Sequence, residues 1–203
     1  VLATHNVDKC AEMSAILSNF SIDILSLEDF PAIGEIIEDG TSLKENALIK
    51  ARTVHAKTGL NAWADDTGLE VDALDGKPGI FSARYAGENC SYSDNVHKLL
   101  KDMANTPKNL RIAHFKTVIA FVGDNMELVS EGIVQGMITT QPKGVGGFGY
   151  DPVFYVREKG KTYSEMEMIE KNQISHRSQA IQNMAKLLES KFPEVFSKME
   201  DIA

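Results

Sequence analysis

Residues 61–74 read NAWADDTGLEVDAL, and the two adjacent aspartates inside that apolar run constrain the fold more than any other feature. Ala62, Trp63 and Ala64 read as the end of a buried strand, so Asp65 and Asp66 stand where water is scarce. An ionised carboxylate buried without a partner costs several kcal/mol, and two neighbouring ones repel each other. Whatever fold carries this run must bring a cation, amide donors or water to it. Taken alone, the pair with Gly68 close behind also reads as a turn.

The segments around it predict an alternation of strands and helices. VLATHNVDKCAEMSAILSNF reads as strand, short loop and helix, because Met13, Ile16, Leu17 and Phe20 recur at helical spacing after a polar break. SIDILSL reads as a second strand. A helix is predicted from Ser42, which stands at capping-box spacing from Glu45, to the neighbourhood of Gly59. On that helix Leu43, Ala47 and Val54 share a face, and Lys50 falls about 20° from Leu43, on the inward stripe, at 100° per residue. A further helix is expected over 93–103. RIAHFKTVIAFVG and MELVSEGIVQGMITT read as paired strands about a Gly-Asp-Asn turn, DPVFYV as another strand, and a last helix begins near Ser175. The class is α/β, with all 203 residues in a single domain.

Composition excludes little. The net charge of −8 and pI near 5.1 argue against a nucleic-acid duplex as partner, since such binding needs a broad basic surface. A small anionic ligand needs only a local group of lysines and arginines. Cys10 and Cys90 lack metal-ligand spacing and read as reduced packing residues. No apolar run approaches membrane-spanning length, and no signal-peptide pattern is visible, so a soluble cytoplasmic protein is expected.

Several short stretches carry chemistry. THNVDK, between a strand and a helix, offers backbone amides at a helix N-terminus, where Thr4 and Asn6 donate and Lys9 adds charge, an arrangement suited to phosphate; helix capping by Asn6 is the plainer alternative. GVGGFG satisfies G-x-G-x-x-G, but it precedes a strand rather than opening a helix, so it reads as a loop and not as a dinucleotide fingerprint. Beside it, Phe148 or Tyr150 offers a stacking surface for a planar base and Asp151 an acceptor, with core packing as the alternative for both rings. In SHRSQA, His176 and Arg177 place positive charge in the first turn of a helix, against its dipole. Helix stability does not explain them, whereas a ligand bearing acceptors would.

Together VLATHNVDK, GTSLKENALIKA, ADDTGLEVDALDGKPGIFSARYAG, GGFGYDPVFY and KNQISHRSQA resemble, in this order and over almost the whole chain, the inosine triphosphate pyrophosphatase (Ham1-like) family of non-standard purine nucleotide pyrophosphatases. The resemblance implies an elongated mixed β-sheet flanked by helices, in two lobes with the active-site cleft between them, and a homodimer. It implies that Thr4, His5, Asn6, Val7, Asp8 and Lys9 contact nucleotide phosphates, that Asp66 is the catalytic carboxylate and a Mg2+ ligand, and that Thr67 touches substrate. Glu38 matches an acidic position associated with the metal. Phe148, Gly149, Tyr150, Asp151, Lys171, His176 and Arg177 match base-binding segments. Three positions depart from the usual pattern: His5 replaces a glycine, Thr67 a serine and Leu43 a phenylalanine.

The reaction so implied is Mg2+-dependent hydrolysis of ITP, dITP or XTP to monophosphate and pyrophosphate, with Lys9 and Lys50 stabilising phosphate charge and Asp65 supporting Asp66 or a second metal. A Maf-like pyrophosphatase with another base preference and a non-hydrolysing nucleotide sensor are the alternatives.

Overall fold

A computed structural model describes residues 1–20 and 22–193. The chain opens with an extended residue, Leu2, which forms a parallel bridge to Trp63. Its neighbours supply the bonds from Ala3 N to Trp63 O and from Trp63 N to Val1 O. Helix α1 follows over Val7–Leu17, and its N-cap is Asn6, whose side chain accepts from the Lys9 amide. Capping by Asn6 is thus realised.

The SIDILSL strand is a correction. Ser21 lies outside the described residues, and the rest is irregular until a 3-10 turn at Leu27–Asp29. Ile22 and Ile24 do face the core at a period of two, which is what the sequence pattern reported. Apolar alternation records burial, however, and not the hydrogen-bonded partner that makes an extended segment a strand.

Helix α2 spans Leu43–Thr58. Ser42 accepts from the Glu45 amide, and Gly59 ends the helix at φ 69°, a left-handed conformation that glycine adopts without penalty. Glu45 returns the cap one residue early, its carboxylate accepting from the amide and hydroxyl of Thr41. Leu43, Ala47, Lys50 and Val54 are all buried, as the inward stripe predicts.

Strand β1 is Ala62–Val71, so Asp65 and Asp66 sit inside the strand and not at its end. Strands β2 (Pro78–Gly79), β3 (Ile112–Gly123), β4 (Met126–Ile138), β5 (Phe154–Val156) and β6 (Lys161–Thr162) complete a sheet of order β2-β1-β3-β4-β5-β6. Its registers include Leu69 opposite Gly79, Ile138 opposite Phe154 and Tyr155 opposite Thr162, all antiparallel. Helices α3 (Tyr92–Asp102), α4 (Met168–Ile174) and α5 (His176–Glu189) flank it in sequence. The seven-residue α4 is a helix that apolar periodicity misses, because so short a run shows hardly two turns.

The chain divides into two compact units. Unit 1 contains Val1–Asp66, Thr117–Gly132 and the segment from His176 on; unit 2 contains Thr67–Lys116 and Ile133–Ser175. The core of unit 1 joins Met13, Ile16 and Leu17 of α1 to Ile181, Met184 and Leu188 of α5, with Trp63 edge-on to Phe121. That of unit 2 gathers Leu69, Leu99, Met103, Phe115, Phe154 and Tyr163. Each has its own apolar centre.

Candidate active site

Successive side chains of a strand point to opposite faces, and this separates the two aspartates. Asp65 is wholly buried at 0% exposure. Its Oδ2 lies 3.1 Å from Lys9 Nζ and accepts from Arg177 Nη2 at 3.1 Å and Nε at 3.3 Å. Arg177 donates through Nη1 to Glu12, which is also buried. Two carboxylates here meet two cations. Burial, the strongest influence on Asp65, pushes its carboxyl up, but Lys9, Arg177 and Lys50 together outweigh it and hold the group well below the usual carboxylate range.

This explains the cationic start of α5. Arg177, which opposes the helix dipole, finds its acceptors in Glu12 and Asp65, so those acceptors are protein groups and the guanidinium is 1% exposed. His176 is buried beside it. The backbone of β4 presses on the same turn: a Cβ at Gly132 would lie 2.1 Å from the His176 carbonyl oxygen, a closeness only glycine permits.

Asp66 has a different setting. Lys50 Nζ is 2.7 Å from Glu38 Oε2 and 3.5 Å from Asp66 Oδ1. Asn46 donates to Asp66 Oδ2 at 3.2 Å and accepts from the Gly40 amide at 2.9 Å. Two carboxylates share one ammonium, an excess of negative charge. Burial raises the Asp66 carboxyl above its ordinary range; Glu38 and Asp65 push the same way, and Lys50 and Lys9 oppose them without prevailing. Lys50 stays protonated, because its carboxylate neighbours overcome the burial that would lower it. Glu38 keeps a third of its side chain in solvent, so this group is open on one side.

Among the described residues no cluster of three or more His, Cys, Asp or Glu presents itself as a complete metal site. The donors do suit magnesium: Glu38 and Asp66 are hard carboxylate oxygens with uncompensated charge, and magnesium typically takes one or two carboxylates plus water and substrate phosphate oxygens.

In the loop Thr4–Lys9, Thr4 Oγ accepts from the Asn6 amide at 3.2 Å, Val7 and Asp8 are exposed, and Lys9 points at Asp65. His5 is turned to the Gly34 carbonyl, at 2.7 Å. A cavity of about 480 Å³ adjoins the loop, lined by Thr4, His5, Cys10, Ser14 and Glu28 among others. Among the described residues no lysine or arginine lines it.

Unit 2 holds the remaining candidates. Thr67 is half-buried. Lys171, on α4, is 2.5 Å from Asp151 Oδ2, both nearly inaccessible. The same oxygen accepts from the Phe148 amide at 2.9 Å, and the Lys171 ammonium lies 4.9 Å from the Phe148 ring centre. Gly147, at φ 70°, passes so close that a Cβ there would meet Asp151 Oδ2 at 2.2 Å. At Gly147 the glycine-rich loop therefore wraps a carboxylate. Of the two aromatics proposed for stacking, Tyr150 is core, its hydroxyl donating to the Ser82 carbonyl at 2.9 Å, whereas Phe148 remains half-buried. Glu12 and Asn46 escaped the sequence reading. Both sit about 40° from an inward-facing residue, Ile16 and Lys50 respectively, at 100° per residue, and that placement was the available signal.

An α/β protein with lysines and carboxylates converging on one strand is the class these features define. The chain belongs to the Ham1 family, whose sequence profile matches residues 1–187. It is 46% identical over 190 residues to the dITP/XTP pyrophosphatase of Halalkalibacterium halodurans, covering 93% of this chain and 98% of that one. It is 48% identical over 182 residues to the dITP/XTP pyrophosphatase of Geobacter sulfurreducens, covering 89% and 92%. The structure of a HAM1 protein from Coxiella burnetii superposes with a TM-score of 0.84 at 40% identity, covering 93% of this chain and 97% of the other.

Proposed function

We propose that this protein hydrolyses non-standard purine nucleoside triphosphates, among them dITP, ITP and XTP, to the monophosphate and pyrophosphate. The observation that carries the reading is the Glu38–Lys50–Asp66 group, buried, negative in excess and open on one side; the naming of the relatives in the same terms supports it.

Glu38 and Asp66 are the residues that would hold a magnesium ion, which when bound offsets phosphate charge and favours departure of pyrophosphate. Asp66 accepts the proton of the water that attacks the α-phosphorus, with Lys50 and Asn46 holding its carboxylate in place. Asn46 fixes the orientation of that carboxylate by its bond to Oδ2. Lys50 and Lys9 keep positive charge at the triphosphate as charge moves to the leaving oxygen. Asp65 aims Lys9 rather than reacting itself.

Base recognition is assigned to Phe148 and to the Lys171–Asp151 pair. Phe148 offers the ring face, and the donors held there suit the 6-oxo acceptor of hypoxanthine or xanthine. Adenine presents an amino donor at that position, which sets donor against donor and gains no hydrogen bond. The family resemblance also carries a homodimeric state, which the elution volume of the purified protein tests.

The deciding experiment incubates the protein and magnesium with ITP, XTP, dITP, GTP, ATP and CTP and quantifies monophosphate and pyrophosphate. Rapid ITP turnover with slow ATP turnover is expected. Binding without product would replace the reading with a nucleotide sensor, and a pyrimidine preference with a Maf-like enzyme.

A further inference from the structure

The segment that carries Glu38 has no regular structure of its own from Gly34 to Gly40. Side chains hold it from outside. Lys57 donates to the Ile33 carbonyl at 2.9 Å, Lys50 pairs with Glu38 at 2.7 Å, and Asn46 accepts from the Gly40 amide at 2.9 Å. These three come from one helix, α2. A fourth hold has another origin: His5 Nε2 lies 2.7 Å from the Gly34 carbonyl, and His5 belongs to the loop Thr4–Lys9. Gly34 adopts φ 66° and ψ −165°, an extended positive-φ conformation open essentially to glycine alone, and it is from there that its carbonyl meets the imidazole.

We infer that His5 is a positioning residue, a tether that fixes the Glu38 segment to the loop ending at Lys9. Through it the carboxylate that serves the cation and the loop that precedes the phosphate-facing lysine move as one piece. The imidazole donates its Nε2–H to a carbonyl that α2 does not bond, so the link adds to the α2 anchors and does not duplicate them. His5 thereby acts on cation handling through the Gly34 carbonyl that its ring meets. The inference rests on the assignment of Glu38 to the metal, while the tether itself stands on geometry alone.

The test compares the wild type with His5→Ala and His5→Gln, the amide of glutamine reaching about as far as the imidazole. The first readout needs no ligand: backbone 15N order parameters over Gly34–Glu38. We expect values near 0.85 in the wild type and in His5→Gln, falling below about 0.6 in His5→Ala, the range of flexible backbone, while the α2 and β1 values stay unchanged. The second readout is a kinetic split. In His5→Ala the magnesium concentration for half-maximal ITP hydrolysis rises severalfold, with KM for ITP at saturating magnesium unchanged.

Unchanged order parameters in His5→Ala would overturn the tether. So would a loss of order spread through α2 and β1, which would mean general support of the fold. A rise in KM for ITP with an unaltered magnesium requirement would instead make His5 a phosphate contact. If no nucleotide is hydrolysed by any of the three proteins, the order parameters still decide whether the tether exists, and only the functional reading fails.

Discussion

Asp65 and Asp66 are chain neighbours with the same side chain, and they lead opposite electrostatic lives. On one face of β1, Asp65 and Glu12 meet Lys9 and Arg177, charge is balanced, and burial is nearly complete. On the other, Asp66 and Glu38 share Lys50, and the group opens to solvent through Glu38. Balance lowers the first carboxyl's hold on its proton; imbalance raises the second's. The lesson is that a strand's alternation can turn one acidic dipeptide into a structural anchor and a reactive group, with Lys9 reaching toward both.

The largest expected effect breaks the reactive face. Asp66→Asn should lower ITP turnover by about a thousand-fold or more, as loss of a general base combined with a metal ligand implies, and circular dichroism should show the fold retained. Wild-type turnover in this variant would remove Asp66 from the mechanism.

Next comes the anchored face. Arg177→Met leaves Asp65 and Glu12 buried with one cation between them, and removing one partner of a buried pair costs about 3–5 kcal/mol. A urea midpoint within error of the wild type's would show that the closed group contributes nothing to stability. Activity should fall as well, because Lys9 loses the fixed carboxylate that aims it.

The pH dependence sharpens the contrast, because the two signs differ. Asp65 has a lowered folded-state value, so its contribution to stability is present above the ordinary carboxylate range and is lost as pH falls through that lowered value. Asp66 has a raised folded-state value, so its contribution is present below the ordinary range and is lost as pH rises through the raised value. Thermal midpoints of Asp66→Asn and wild type should therefore diverge as pH rises from 4 to 7, in favour of the variant, on the order of the carboxylate range. For Asp65→Asn the wild type's advantage should instead hold steady across that range and shrink as pH falls below about 4. The same sign in both variants would dissolve the distinction.

The smallest effect is a control outside both faces. Arg52 and Glu127 form a two-pronged pair at 2.7 and 2.6 Å on the surface, and Arg52→Ala should shift stability by no more than about 1 kcal/mol without altering turnover.

Much of this organisation was legible in the chain because its signals are local. Ser42, Glu45 and Gly59 bracket α2, and the long β-branched runs of β3 and β4 declare themselves by composition. Lys50 was legible too, through its place on an apolar stripe. What stayed hidden depends on distant partners. Nothing near Glu12 announces Arg177, 165 residues away, and nothing near Asn46 announces Asp66. The extended segment before Leu27 and the short α4 show the same limit from the other side: burial and length are written locally, but a strand's partner and a brief helix's docking are not. Arg177 was noticed for the right reason, its conflict with the helix dipole, and its acceptors proved to lie within the protein.

Thermal unfolding at neutral pH with and without millimolar magnesium, for the wild type, Asp66→Asn and Asp65→Asn, tests the account most directly. Magnesium should raise the midpoint of the wild type and of Asp65→Asn and leave Asp66→Asn unmoved, since only on the Asp66 face do two carboxylates share a single ammonium. An equal magnesium response in Asp66→Asn, or a response abolished by Asp65→Asn alone, would contradict it.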